Sequence, residues 1–465
     1  MGWPVVFDGA LMAYVGMRLL DGGVPYVDVY DMNMPGTYLI HQAWYAVFGM
    51  AALPWRLLDL GVALVAGWGV WRLLRPADAP AALLAAVGFV GFHQMHGAYA
   101  VGERDFWLAT CLVLATVGVL GDDETRRPSA AALVAAGLAL GLAVAIKPLA
   151  GLFAVGLAGV LLLAGRRRAQ GPGALVADQL LLALPAAGLV AAAFGWVVAR
   201  GGAPGLAILV DELLPVHTRL VLPLGRQLLL LALEPPSWLL PVAVAAPLLV
   251  GPGHVARRTA LLLGVAYGLV HWFWQGKAWD YHLHPYVAFA WPAAALAWSL
   301  PRPTTSRAVL SVTAAVLAGL VLTLQAGWTW VYLKNDHVGL LVRNGDDLAA
   351  RLRPDDTVQI VGDVGSGLRA LVAEGRPMAT PFVYDFHFYE RADTPEVARW
   401  QARFLDDLRA AQPDVIFLSV HSWPSNAWER FEAFPGLTEL LEEDYALEEE
   451  TKAWRLYRHQ APATP

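Results

Sequence analysis

Ten long apolar runs recur along this chain, and they leave it essentially one kind of fold. They cover residues 52–74, 79–97, 105–121, 129–146, 148–165, 174–199, 236–251, 258–274, 283–300 and 308–330. A helix needs roughly 20 predominantly apolar residues to cross a bilayer. Runs this frequent, in a chain that is 57% hydrophobic and only 15% charged, predict a polytopic α-helical membrane protein with about 10–11 transmembrane helices. The single cysteine, Cys111, lies inside an apolar run, so it rules out an intramolecular disulfide and offers no thiolate metal site.

Orientation follows from the short connections. Arg72 and Arg75, Arg126 and Arg127, Arg166 to Arg168, Arg257 and Arg258, and Arg302 and Arg307 fall on alternate loops, which the positive-inside rule assigns to the cytoplasm. The opposite side, periplasmic or extracellular, then holds residues 1–51, the 98–104 turn, the break at Lys147, the 200–235 loop, the 275–282 turn and everything after about residue 331. The expected localisation is the inner or plasma membrane. No signal sequence or span precedes the polar stretch Asp21–Asn33, so the reading leaves room for an N-terminal helix outside this sequence, or for 36–51 to span.

Three regions result: 1–51, a first outer loop with juxtamembrane helices; 52–330, the transmembrane domain; and 331–465, a soluble module. The charge balance separates the last from the rest. Residues 1–334 hold 20 Lys plus Arg against 16 Asp plus Glu, whereas 335–465 hold 13 against 23. Strand-like runs at Thr357–Val361 and Val415–Val420, with helical patterns at Asp346–Leu352 and Glu396–Ala410, predict a small α/β domain. The run Gly362-Asp363-Val364-Gly365-Ser366-Gly367 lacks GxGxxG spacing and reads as an ordinary strand-to-helix turn.

Charges near membrane depth are costly, about 2.5 to 3.5 kcal/mol each on insertion scales, so those retained tend to line a site. On the outer side they fall into three groups. The first is Phe7-Asp8-Gly9 with the segment from Gly22 to Gly36, which carries Asp28, Asp31 and Asn33. Asp8 is flanked by Val5, Val6, Phe7 and Leu11, and a carboxylate in apolar surroundings is a better proton acceptor than a solvated one; Asp28 and Asp31 also fit a solvated loop. The second is Glu103-Arg104-Asp105, preceded by His93 and His96. At i, i+3 the two histidines would share a helix face and, with Glu103 or Asp105, could bind a divalent metal, although ordinary interfacial hydrogen bonding also accounts for them. The third is cationic: Lys147 and Lys277 are the only lysines before Lys334, and both lie against the positive-inside trend. A compact ammonium there suits a lipid phosphate, with snorkelling as the plainer reading. Lys277 stands in Trp274-Gln275-Gly276-Lys277-Ala278-Trp279-Asp280-Tyr281-His282, rich in indoles and donors.

The order of these motifs resembles the GT-C superfamily of membrane glycosyltransferases, in the branch of protein O-mannosyltransferases and aminoarabinose transferases, over residues 5–330. The features that carry the likeness are an Asp at the start of the first outer loop, Gly23-Val24-Pro25-Tyr26-Val27-Asp28, the turn Met34-Pro35-Gly36, an acidic second outer loop, Lys147-Pro148 and Lys277 followed by Tyr281-His282. The resemblance implies a GT-C-like fold and inverting transfer of a hexosyl or pentosyl group from a polyprenyl-phosphate-linked donor to an extracytoplasmic lipid, glycan or protein acceptor. It implies Asp8 as catalytic base, Asp28, Asp31, Glu103 and Asp105 orienting acceptor or ion, and Arg104, Lys147, Lys277 and His282 holding the donor phosphate. Two departures stand out: Gly9 where the family often has Glu, and Asn33-Met34-Pro35-Gly36 where it has Lys-Pro-Pro. No nucleic-acid partner is expected. A transporter or lipid flippase also buries charge near helix breaks, but it commonly shows paired repeats, and none is visible. A non-catalytic interaction protein leaves the outer charges without purpose.

Overall fold

The computed structural model describes residues 4–219, 221–249, 254–299, 305–334, 337–362, 365–389, 393–419, 427–434 and 436–460. Two helices precede the expected spans, α1 (Asp8–Leu20) and α2 (Pro35–Phe48), and then come α3 (Ala52–Leu74), α4 (Ala79–Gln94), α5 (Arg104–Leu120), α6 (Ala130–Ile146), α7 (Ala150–Arg167) and α8 (Pro172–Ala199). The next connection contains short α9 (Ala203–Ile208), a π-helical turn Leu209–Leu213, α10 (Leu214–Thr218) and α11 (Leu224–Leu233). Helices α12 (Leu240–Leu249), α13 (Val255–Gln275), α14 (His284–Ala295) and α15 (Thr305–Lys334) complete the bundle. Every expected apolar run coincides with a helix.

Length separates these helices. Among the described residues, Ala52–Leu74, Ala150–Arg167, Pro172–Ala199 and Ala308–Val331 are long and apolar enough to cross a membrane singly, and Leu224–Leu233 with Pro235–Leu249 forms a pair bent by 83°. Shorter helices fill the interior. All twelve residues of α14 are buried against α13, α12, α4 and α5, as expected of a helix apolar on every side. The site-bearing breaks are local chemistry: Pro148 disfavours the helical region at Lys147, whose backbone is extended at the end of α6, and Gly276 caps α13 in the left-handed region.

Beyond α15 and α16 (His337–Arg351) lies a four-stranded sheet of β1 (Val358–Val361), β2 (Val415–Ser419), β3 (Tyr445–Glu450) and β4 (Trp454–His459), in the order β1-β2-β4-β3. The β1–β2 pair is parallel, crossing over through α17 (Gly367–Glu374) and α18 (Pro395–Ala411); the other pairings are antiparallel. Short α19 (Ala427–Glu432) and α20 (Leu437–Asp444) precede β3. Every residue of β1 and β2 is buried, which explains why their continuous apolar runs were legible, whereas the acidic edge strand β3 was not anticipated. Asp363 and Val364 of the glycine-containing run lie outside the described residues.

The N-terminal segment differs from a solvated loop. Leu11, Met12, Tyr14, Val15, Met17, Tyr26, Tyr30 and Tyr38 share one core with Leu348, Val361, Leu371, Phe382, Trp400 and Phe417 of the C-terminal domain. Helix α1 is thus buried on nearly every side, sandwiched between bundle and sheet domain. Only its ends, at Asp8, Arg18 and Leu20, reach the surface.

Candidate functional site

A cavity of about 740 Å³ opens at one end of the bundle and is lined by residues from every outer-side segment. Its walls include Asp8, Asn33, His96, Glu103, Arg104, Lys147, His217, Lys277, Asp280, Tyr281 and His282, with Tyr384 and Asp385 from the C-terminal domain. Helix α5, at about 1.5 Å per residue, separates this end from the arginine-bearing connections by about 25 Å.

Asp8 opens α1 and faces Arg104, the first residue of α5, through an ion pair. The preceding Phe7 has a φ of 49°, and Ala278, directly after Lys277, a φ of 51°. Non-glycine residues rarely adopt this left-handed region, and such strain concentrates at functional sites. Gly102, with φ 80°, is required where it stands: a Cβ there would lie 2.4 Å from the Trp55 ring. This close packing sets Glu103 at the cavity wall. Gly36 does the same for the start of α2, where a Cβ would come 2.6 Å from the backbone of Ala145, two residues before Lys147.

The candidates form concentric layers. Asp8, Glu103, Arg104, Lys147, Lys277, His96 and His282 line the cavity. Asp31 and Asp105, both fully buried, stand one layer behind. Asp105 accepts from Lys147 Nζ at 2.8 Å and pairs with His271 Nε2 at 2.8 Å, so it orients a cavity residue and does not line the cavity itself. Asp31 accepts from Asn33, Tyr38 and Tyr384. Asp28 lies outside the site: its Oδ2 accepts from the Val24 N–H at 2.7 Å and closes a turn.

The proposed histidine pair does not converge. Helix α4 ends at Gln94, so the i, i+3 relation breaks before His96. His93 is stacked on Phe106 at 3.6 Å and paired with Asp59 at 3.1 Å, while His96 pairs with Asp280 at 2.9 Å. Among the described residues no group of three or more His, Cys, Asp or Glu side chains could hold a metal ion.

Lys277 and Glu103, both buried on the cavity wall, have no ion-pair partner among the described residues. Lys277 is 6% exposed, and among the described residues no carboxylate lies within 4 Å of it; it meets the Gln275 carbonyl at 3.5 Å and stands 5.8 Å from the Trp279 ring. Burial, with the neighbouring Lys147 charge adding, pulls its ammonium down to about 7. Glu103 is 4% exposed, and its Oε2 has no hydrogen-bond partner. Burial, reinforced by Asp8, pushes its carboxyl well above the usual range. His217 and His387 meet at 3.2 Å; burial, then the Lys277 charge, keeps both neutral, with His387 down to about 3.

Sequence reasoning missed His217, Asp280, Tyr281, Tyr384 and Asp385 as wall residues. Asp280 and Tyr281 stood beside Lys277 in a motif already singled out; the other three lie on segments whose proximity only the fold creates.

Residues 33–191 match the family of dolichyl-phosphate-mannose-protein mannosyltransferases. Over all of this chain and 96% of the other, the structure is similar to ArnT from Cupriavidus metallidurans bound to undecaprenyl phosphate, with a TM-score of 0.65 and 13% identity. It is also similar to the oligosaccharyltransferase AglB from Archaeoglobus fulgidus, in complex with an inhibitory peptide and a dolichol-phosphate, over 99% of this chain and 71% of that one, with a TM-score of 0.50 and 12% identity. No curated protein sequence matches. The helical bundle with its small C-terminal sheet domain is thus GT-C-like in fold.

Proposed function

We propose that this protein transfers a sugar, hexosyl or pentosyl, from a polyprenyl-phosphate-linked donor to an extracytoplasmic lipid, glycan or protein acceptor, with inversion. The observation that carries the reading is the buried Lys277 ammonium without a carboxylate partner, on the wall of a cavity that also presents Asp8. An uncompensated buried cation is costly, and an anionic phosphate group supplies the missing counter-charge. The polyprenyl phosphates named with ArnT and AglB support that choice.

In this reading the donor phosphate sits by Lys277 and Lys147, with neutral His217 and His282 beside them. Asp8 accepts the proton of the acceptor hydroxyl or amine as that atom bonds to the anomeric carbon and the bond to the phosphate oxygen breaks. Polyprenyl phosphate leaves as an anion, so cationic stabilisation takes the place of a general acid. Arg104 pairs with Asp8 and orients it, and from the same cavity wall it can share the leaving charge. The site end and C-terminal domain face the periplasm or exterior of a plasma membrane, because the arginine-bearing connections gather at the opposite end.

The test is binding followed by transfer. Undecaprenyl phosphate should raise the thermal midpoint of the purified protein and fail to do so for Lys277→Ala, and cells lacking the protein should accumulate a polyprenyl-phosphate sugar or an unmodified acceptor by lipid mass spectrometry. An unchanged lipid profile with no thermal shift would overturn the proposal. A cysteine at exposed Glu443 should react with an impermeant thiol reagent in intact spheroplasts; protection until lysis reverses the orientation.

A further inference from the structure

Building on that function, we propose that Tyr384 of the C-terminal domain is a positioning residue for Asp8, acting through Asp31, Asn33 and Arg104. The links are continuous. Tyr384 donates its hydroxyl to Asp31, and Asn33 Nδ2 donates to both Asp31 oxygens, at 2.8 and 2.9 Å. Arg104 donates from Nη1 to Asn33 Oδ1 and from Nη2 to Asp8.

Hydrogen-bond polarity fixes each link. A carboxylate only accepts and a guanidinium only donates, so the Asn33 amide has one consistent orientation, NH₂ toward Asp31 and oxygen toward Arg104. Asp31 is fully buried and accepts from Asn33, Tyr38 and Tyr384, so its position is over-determined while all three donors are in place. Among the described residues, loss of the Tyr384 hydroxyl leaves one Asp31 oxygen with Asn33 as its remaining donor, and the strain is passed to the amide that steers Arg104.

The loop bearing Tyr384 is held for this role. The Tyr30 N–H donates to the Pro381 carbonyl at 2.8 Å, the Met378 N–H donates to the Tyr14 hydroxyl at 2.7 Å, and Phe382 packs edge-on against Tyr30 at 4.9 Å and against Trp400 at 4.7 Å. Both anchors, Tyr14 and Tyr30, lie in the segment that begins with Asp8. The C-terminal domain thereby acts on the base at second hand and closes one wall of its cavity.

The experiment uses the full-length protein in detergent or nanodiscs. Tyr384→Phe should lower kcat about 10-fold while leaving the donor KM within about twofold, and Arg219→Ala, which cuts the domain's ion pair to Glu396, should leave kcat unchanged. Hydrogen exchange gives a readout that needs no turnover: Tyr384→Phe should speed exchange at 26–38 and at 100–106 as well as in its own loop. Exchange changes confined to 378–388, or wild-type kcat in Tyr384→Phe, overturn the relay. If the wild type itself transfers no sugar, the functional reading fails, and the exchange pattern alone still decides whether Tyr384 reaches Arg104.

Discussion

The two ends of the helical bundle hold charge in opposite ways. At the arginine-bearing end the carboxylates are matched: Asp122 accepts from Arg72 and Arg75, Asp178 from Arg127, and Glu124 from Arg257 while also receiving the first N–H groups of α13. At the cavity end Asp8 and Asp105 are paired, but Lys277 and Glu103 are buried without ionic partners among the described residues. Pairs of that kind satisfy their carboxylates within the protein. On the proposed function an anionic donor completes the cavity end, and that contrast marks it better than the number of charges does.

The largest effect that would sharpen this contrast is at the base. Asp8→Asn keeps the size and removes the proton acceptor, so turnover should fall by about 10² to 10⁴ with little change in donor affinity. Single-turnover kinetics with labelled lipid-linked sugar measure both, and full turnover would move the base elsewhere.

Next comes the open cation. Lys277→Ala should weaken donor binding by about 1 to 3 kcal/mol, roughly 5- to 150-fold. A donor affinity at the wild-type level in a folded variant would make Lys277 a membrane anchor and erase the difference between the two ends.

A smaller, graded effect follows from pH. Because burial and Lys147 pull the Lys277 ammonium down to about 7, it is charged below that pH and increasingly neutral above it. Phosphate binds the charged form, so donor affinity should fall by up to about tenfold per pH unit above 7. Lys277→Arg, charged throughout, should flatten that slope in a titration by tryptophan fluorescence.

The least effect on catalysis is expected at the closed end. Glu124→Gln removes the charge beside Arg257 and should cost about 1 to 3 kcal/mol of stability, seen as a lower thermal midpoint, with kcat/KM unchanged. A loss of turnover there without a stability change would mean that the two ends are coupled.

What was legible in the sequence was what depends on local pattern. Apolar runs placed α3 to α8 and α12 to α15 to within a few residues, and the scarcity of lysine singled out Lys147 and Lys277 before their shared cavity was visible. Juxtamembrane helices were expected within 1–51, but neither the bounds of α1 nor its burial against the C-terminal domain can be read from local pattern. For His93 and His96 the hydrogen-bonding alternative matches the fold, His93 pairing with Asp59 and His96 with Asp280, partners that spacing alone did not reveal. Asp28 and Asp31, alike in sequence, part company in the fold, one closing a turn and the other buried beneath Tyr384, a distinction made by residues more than 350 positions away.

The shared core of α1 and the C-terminal domain also sets an order of assembly. Tyr14 receives its bond from Met378, 364 residues later, and the strands beneath that contact are completed by Trp454–His459. Contacts so distant along the chain close late during synthesis, after the intervening helices have entered the membrane. The surroundings of Asp8 are therefore finished late. A chain cut before Trp454–His459 would lose the sheet behind that contact, and with it the cavity wall that Tyr384 supplies.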